Sequence, residues 1–502
     1  MSSAAGERTP LVDITWQQQQ RRQRWRRGGV GVVVLVALSL AIYGASDLPR
    51  LRPSAFDLHG HHDEITDENW FCGETQFEAD YIRLGDKQGD DEYFYWFVES
   101  RSRPESDPLV LWLTGGPGGS SIMAMLTENG PCLVRRDVTT KWNPYSWTNA
   151  ANVIWLDQPS GVGFSAYDDA ADTDHTEVDV GKNIYAFLDG FLAKHPQFVG
   201  RPFFITGESY GGHYVPGAAH YIWQQNKRLA GDNNAPVKIN LQGIAIGNGL
   251  TNPLVQYKYN QDMADNQYGI FLLTDEQRTQ MQRDSALCIE LTAACQAAPT
   301  NGSICVDAQG CWGQKLIGPF ADAHRNLYDI RKHCSPHRPE DCGLDYSFLD
   351  EYLALPAVQR HLNGTKHAWI ESNEAVNRAF VESGDWSFSY HTYVADLLND
   401  GLRVLIYAGD ADLMCNWIGN RAWTLELDWQ RKAAFNAAPE RPFVVRDPLQ
   451  DHDSSEAIDA GIVRQAENLA FIRLYEAGHM VPQDQPAVSW VMIDKFLRGD
   501  TY

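Results

Sequence analysis

Three polar residues at the ends of apolar runs carry the chemistry this chain can do. Ser209 sits in Gly207-Glu208-Ser209-Tyr210-Gly211, directly after the aromatic and β-branched run Phe203-Phe204-Ile205-Thr206. Glycines two residues to either side of a serine suit a tight strand-to-helix turn, where a Cβ would crowd the reversing backbone and the hydroxyl stands exposed. Such a hydroxyl becomes a nucleophile only beside a base, and the base works only when a carboxylate holds its tautomer. Further along, the run Arg403–Ala408 empties into Gly409-Asp410-Ala411-Asp412, and Leu469–Tyr475 empties into Glu476-Ala477-Gly478-His479. Serine, acid and histidine therefore arrive in an order that acyl-transfer sites use, each at the end of an apolar run. His213 is nearer to Ser209 in sequence, but it falls on the helix after the turn and is expected to be structural.

Those runs belong to a longer series. Tyr93–Val98, Leu109–Leu113, Asn152–Leu156, Pro202–Thr206, Ile239–Ile246, Arg403–Ala408 and Leu469–Tyr475 are short, apolar and separated by longer amphipathic stretches. This rhythm predicts an α/β fold with a mostly parallel central sheet flanked by helices on both faces, whose ligands collect at the carboxyl ends of the strands. From Thr251 to about Asp385 the rhythm stops. Six cysteines (Cys288, Cys295, Cys305, Cys311, Cys334, Cys342) and two sequons, at Asn301 and Asn363, cluster there. We read this stretch as an inserted, disulfide-rich cap and the asparagines as glycosylation acceptors. Zinc is the weaker reading of the cysteines, because no C-x-x-C pair occurs.

A net charge of −23 over 502 residues argues against nucleic acid as a partner, since phosphate binding needs a basic face. Residues 1–27 form a tail with five arginines near its end, and 28–45 is an uncharged run just long enough to span a bilayer. The arginines predict a cytosolic tail and a lumenal remainder, with the run acting as a signal-anchor; a signal peptide cleaved near Gly44-Ala45-Ser46 is the alternative. Residues 46–70 read as a linker and 71–502 as the catalytic part.

Seven segments in one order carry a resemblance to the serine carboxypeptidases, an α/β-hydrolase family that includes carboxypeptidase Y and lysosomal protective protein. They are LWLTGGPGGSS (Leu111–Ser121), WNPYSW (Trp142–Trp147), WLDQPSGVGFS (Trp155–Ser165), ITGESYGGHYVP (Ile205–Pro216), GIAIGNGLTNP (Gly243–Pro253), YAGDADLMCNWIGN (Tyr407–Asn420) and EAGHMVPQDQP (Glu476–Pro486). The resemblance implies Ser209 as nucleophile, His479 as general base and then acid, and Asp412 rather than Asp410 as orienting carboxylate. Gly116 and Tyr210 would supply the oxyanion hole. Thr114, Gly115, Glu128 and Glu208 would hold the C-terminal carboxylate of a peptide or protein, the two glutamates sharing a proton, which favours acidic pH. Trp386, Met414 and Cys415, with Tyr210, would line the pocket for the penultimate side chain. Cys415 would be the free thiol left by an odd cysteine count, and Cys334 would pair with Cys342.

No metal or cofactor is implied. Two positions leave the family's common pattern, Thr114 where many members have Asn and Gly119 where they have Cys, so the bridge that cysteine would make is absent. The expected activity is release of C-terminal amino acids through an acyl-enzyme. An acyltransferase or esterase using the same triad, and a non-catalytic lumenal protective or scaffold protein, are the alternatives. The expected compartment is vacuolar, lysosomal or another endomembrane, or extracellular if the N-terminal segment is cleaved.

Overall fold

The computed structural model describes residues 70–74, 76–84, 91–166, 174–229, 239–335, 339–362, 365–450 and 456–502. The tail, the apolar run 28–45, the linker up to residue 69 and the sequon asparagine Asn363 lie outside the described residues. Among the described residues there are fourteen strands: β1 (Phe77–Arg83), β2 (Glu92–Val98), β3 (Leu109–Leu113), β4 (Cys132–Val134), β5 (Thr140–Trp142), β6 (Asn152–Leu156), β7 (Phe203–Glu208), β8 (Leu241–Gly247), β9 (Arg325–Asn326), β10 (Asp329–His333), β11 (Arg403–Gly409), β12 (Arg441–Arg446), β13 (Ala457–Ala466) and β14 (Leu469–Leu474). Ten of them make one sheet in the order β1-β2-β6-β3-β7-β8-β11-β14-β13-β12. From β6 to β14 all neighbours run parallel, whereas β1-β2, β2-β6, β14-β13 and β13-β12 are antiparallel.

The sheet is buried on both faces because its parallel strands carry apolar residues on both faces rather than on one alone. Leu109, Leu111 and Leu113 pack with Ile154, Ile205, Ile244, Ile406 and Phe471 against the helices Glu177–Lys194 and Gly211–Leu229. Val110 and Trp112 face the other way, with Val153, Trp155, Phe204 and Leu405, toward the helix Pro486–Arg498. Each of the seven apolar runs forms a strand of this sheet, with ends shifted by no more than two residues. The antiparallel edges β1, β12 and β13 were not among them: their residues mix charged and apolar types because one side meets solvent, as the exposed and buried alternation of β12 shows.

Between β8 and β11 no strand joins the large sheet. Helix Asp275–Ala297, opened by a reciprocal Thr274/Gln277 cap, lies against helix Gly302–Cys311 through two nested bridges, Cys288–Cys311 and Cys295–Cys305. The two cysteines of the longer helix are two turns apart and so share a face, which lets an antiparallel helix pair be stapled at both levels. Farther on, β9 and β10 form a short antiparallel ribbon, followed by the Cys334–Cys342 bridge. A fourth bridge, Cys72–Cys132, closes the N-terminal side, and Cys415 is free. Asn301 is exposed just before helix Gly302–Cys311, where a glycan would have room.

Candidate active site

Ser209, Asp412 and His479 follow the C-terminal ends of β7, β11 and β14, strands that run parallel in the same sheet. Ser209 adopts a left-handed backbone, φ 63°, a strained conformation for a residue with a Cβ. Its amide donates to the Gly247 carbonyl (3.1 Å), and its own carbonyl accepts from Gly212 (2.9 Å) and Leu250 (2.9 Å), so the turn is held from both sides. Gly207 is required here, since a Cβ would come within 2.4 Å of the Leu113 carbonyl oxygen. Ser209 stays partly open to solvent in an otherwise buried turn.

Asp412 is fully buried and accepts four N–H groups: Asn248 Nδ2 (2.8 Å), the Met414 amide (3.0 Å), the Cys415 amide (3.2 Å) and His479 Nδ1 (2.7 Å). A carboxylate facing Nδ1 fixes the ring's proton on that nitrogen and leaves Nε2 with its lone pair. Nε2 is buried and has no hydrogen-bond partner among the described residues. Asp410 is engaged elsewhere, by Gln267, Tyr268 and Arg473, which separates the two acids of Gly409-Asp410-Ala411-Asp412 by role. His213 is buried, with Nδ1 on the Leu250 carbonyl (2.5 Å), and burial pushes its pKa down to about 4, so its ring is a neutral packing group.

The loop Thr114–Gly119 lies directly against this turn. A Cβ on Gly115 would be 2.3 Å from the Tyr210 nitrogen, 2.7 Å from the Glu208 oxygen and 2.8 Å from Ser209 Cβ, so only glycine lets the two backbones touch. Asp157, buried at the end of β6, steadies the loop by accepting from the Ser120 hydroxyl (2.5 Å) and the Ser121 amide (3.0 Å). Among the described residues neither the Gly116 nor the Tyr210 amide donates to a backbone acceptor, and Gly116 is exposed. Thr114 is buried; its hydroxyl oxygen accepts from Trp112 Nε1 (2.9 Å), which leaves the hydroxyl proton free to be donated.

Glu208, inside the turn, and Glu128, on the helical turn Met125–Asn129, are both 1% exposed. Among the described residues none donates a hydrogen bond to any of their four carboxyl oxygens. Burial raises Glu128 to about 8, and burial together with the charge of Glu128 raises Glu208 well above the usual carboxyl range. The charge of one carboxyl raises the other, and a hydrogen bond between two carboxyls requires a proton on one of them. Burial and mutual repulsion thus favour the protonated form of both carboxyls, and Glu208 is the residue next to Ser209.

A sequence pattern described as serine carboxypeptidase matches residues 71–499. The chain belongs to the serine carboxypeptidase family. It is 37% identical over 428 residues to carboxypeptidase Y of Komagataella phaffii, covering 85% of this chain and 77% of that enzyme. A vacuolar serine-type carboxypeptidase of Saccharomyces cerevisiae, ATG42, is 37% identical over 410 residues, covering 81% of this chain and 77% of the relative. The crystal structure of Kex1ΔP, a prohormone-processing carboxypeptidase from Saccharomyces cerevisiae, superimposes with a TM-score of 0.73 at 25% identity, covering 87% of this chain and 93% of that one. The protein is therefore an α/β-hydrolase and a peptide hydrolase of the serine carboxypeptidase family.

Beside the serine of this family member the chain builds an aromatic wall. The Tyr210 ring stacks on His213 (4.3 Å between centroids) and on Trp386 (5.5 Å), and Trp386 in turn donates from Nε1 to the Tyr257 hydroxyl (3.2 Å). Met414 and Cys415 are half-buried, their amides committed to Asp412. Desolvation, then the nearby Asp412 charge, push the Cys415 thiol well above its usual value, so it sits there as a thiol.

Sequence reasoning missed Asn248. Its amide nitrogen donates to Asp412 while its carbonyl oxygen accepts from the Gly409 amide (3.0 Å), tying β8 to the acid loop. The signal was present in Gly247-Asn248-Gly249 at a strand end, a position where ligands and catalytic groups gather.

Proposed function

We propose that the chain releases C-terminal residues from peptides and proteins by an acyl-enzyme route run by Ser209, His479 and Asp412. His479 Nε2 takes the Ser209 proton as the hydroxyl attacks the last peptide carbonyl. Asp412 holds the imidazole by Nδ1 and stabilises the imidazolium. The amides of Gly116 and Tyr210 receive the oxyanion, His479 passes its proton to the leaving amine, and water then cleaves the acyl-serine by the reverse sequence. Glu128 and Glu208, with Gly115 and the Thr114 hydroxyl, bind the terminal carboxylate and so choose the final bond. Trp386, Tyr210, Met414 and Cys415 receive the penultimate side chain and favour an apolar one.

The observation that carries this reading is the donor-free Glu128–Glu208 pair beside the serine. An ester or internal peptide bond has no use for two buried carboxyls, whereas a terminal carboxylate needs a neutral donor there. The test is release of the terminal residue from an N-blocked dipeptide by wild type and Ser209→Ala. Undiminished release by Ser209→Ala removes the mechanism, and equal turnover of the C-terminally amidated peptide removes the carboxylate-binding role.

The same proposal places the catalytic part in the lumen of a vacuolar or other acidic endomembrane compartment, tethered by 28–45, with residues 251–385 as its cap. An acidic compartment suits the protonated pair, and a vacuolar relative supports it. Among the described residues no helix is long and apolar enough to cross a membrane, so the tether rests on the sequence of 28–45. Release from membranes by alkaline carbonate would count against it.

A further inference from the structure

We propose that the ribbon β9–β10, with Arg331 at its centre, is a positioning element that sets the distance between the Asp412 and His479 loops; the inference rests on the triad reading above. Three backbone hydrogen bonds join the ribbon's turn to both loops. The Ile330 amide donates to the Ala411 carbonyl (2.9 Å), the Leu413 amide donates to Leu327 (3.1 Å), and the His479 amide donates to Tyr328 (2.8 Å). Asp412 is thus flanked on each side by residues bonded to the ribbon, and His479 is bonded to it directly. The Tyr328 ring stands edge-on to the His479 ring, 5.1 Å between centroids. The Tyr328 carbonyl would also lie 2.5 Å from a Cβ at Gly478, so the histidine loop seats flush on the ribbon.

The turn is itself built to be stiff. Asn326 Oδ1 accepts from the amides of Tyr328 (2.8 Å) and Asp329 (3.2 Å), while its Nδ2 donates to the carbonyls of Asp341 (2.9 Å) and Gly343 (2.8 Å). Arg331 then joins the side chains. Its guanidinium makes a two-pronged contact with Asp329 (2.8 and 2.9 Å) and reaches Asp484 (3.2 Å) and Glu476 (3.2 Å). Asp484 accepts the Gly478 amide (2.7 Å), the residue before His479. The guanidinium is the one cation bridging the ribbon to both Glu476 and Asp484 among the described residues, and its planar fork is what allows those simultaneous contacts. Asp412 and His479 come from adjacent strands that could shift against one another by fractions of an ångström. A brace from the inserted segment, bonded to both, removes that freedom, and misplacement of about 1 Å costs roughly hundredfold in rate.

Arg331→Met, Arg331→Lys, Asp484→Asn and the double variant Arg331→Met/Asp484→Asn test this, with rates divided by the number of fluorophosphonate-reactive sites. The expected result is a roughly tenfold fall in kcat for Arg331→Met, the same on peptide and ester, with KM within twofold of wild type. Arg331→Lys recovers part of the loss, and the double variant is no slower than the slower single one. Wild-type kcat per site in Arg331→Met, or losses that multiply in the double variant, overturn the proposal. If Arg331→Met does not fold, Asp484→Asn against wild type carries the test: the same fall in kcat per reactive site with KM within twofold is expected, and wild-type kcat overturns the proposal. Ser209→Ala run alongside separates the two readings: activity in it defeats the triad, whereas a dead Ser209→Ala with an unaffected Arg331→Met defeats only the brace.

Discussion

Replacing Glu128 and Glu208 together by glutamine should flatten the pH dependence of KM for a peptide with a free C-terminus. In wild type, Glu128 is moved by burial from 4.5 to about 8. An ionised member of the pair about 4 Å from a substrate carboxylate, at an effective dielectric of ~20, repels it by roughly 4 kcal/mol, on the order of a thousandfold in affinity. Only the doubly protonated pair therefore binds, and its fraction falls about tenfold for each pH step beyond the apparent pKa. KM for an N-blocked dipeptide is expected to stay flat from pH 5 to about 7.5 and to climb about tenfold per unit above about 8. The double amide keeps two N–H donors and no titration, so its KM should be level across the whole range, within roughly tenfold of the wild-type acid limb. Initial rates of amino-acid release between pH 5 and 9 supply both curves, with the amidated dipeptide as a substrate lacking the carboxylate. A double variant that still loses affinity tenfold per unit, or an amidated substrate that follows the wild-type curve, would refute the reasoning.

Other substitutions test the remaining parts. Asp412→Asn removes the charge and puts an amide nitrogen on one side of the group, against either the Met414 amide or the Asn248, Cys415 and His479 donors, so the hold on the ring is weakened; kcat should fall by ~10³–10⁴ with KM little changed, in steady-state assays. Gly115→Ala forces a Cβ to within 2.3 Å of the Tyr210 nitrogen, displacing one oxyanion donor, and kcat should drop at least ~100-fold while the melting temperature moves by a few degrees. Stability should decline as pH rises from about 5 to 8. Asp157, Asp174 and Asp385 are raised by burial to about 6 and Glu128 to about 8, so each favours the folded state below its unfolded value and loses that contribution as pH passes its folded one. His213, lowered to about 4, works in the opposite direction below about 6.5, as do His220 and His391, whose values burial also lowers, but these three are outnumbered by the raised carboxyls, which include Glu177 and Glu208. Calorimetric melting over this range checks the sign, and a transition that rises toward pH 8 would contradict it.

The parallel heart of the fold was readable because strands buried on both faces must be apolar throughout, and seven such runs exist. Leu109–Leu113 and Asn152–Leu156 match their strands to the residue. The edges were not readable for the reason that makes them edges. In β12, Phe443 and Val445 turn inward while Arg441, Val444 and Arg446 stay exposed, and in β13 the first three residues are exposed. Six residues of that kind look like a loop until the neighbouring strand is known. The cap cysteines announced a local framework, yet Cys288–Cys311 and Cys295–Cys305 require knowing that two helices run antiparallel, which spacing alone leaves open.

In the site, what could be read was what lies on strand ends, and what could not was what reaches in from elsewhere. Ser209, Asp412 and His479 each follow an apolar run, and Asp412 parts from Asp410 through the family resemblance and, in the structure, through its bond to His479. Tyr328 and Arg331 carry no such mark: they sit at and just before the short, mostly charged stretch Asp329-Ile330-Arg331-Lys332-His333, which reads as a solvated surface. Their placement depends on a backbone carbonyl at Tyr328 meeting the amide of His479, a contact between residues about 150 apart to which neither side chain contributes chemistry. Backbone bonds of this kind are indifferent to residue type, so a sequence cannot advertise them. The Glu128–Glu208 pair lies between these extremes. Glu208 is conspicuous inside the serine turn, but its meaning comes from Glu128, 80 positions earlier, and from the absence of any donor around either. On the proposed reading, that absence suits the two acids to receive a carboxylate: with no cation beside them, burial favours their neutral forms, which can donate to an anion where ionised carboxyls would repel it.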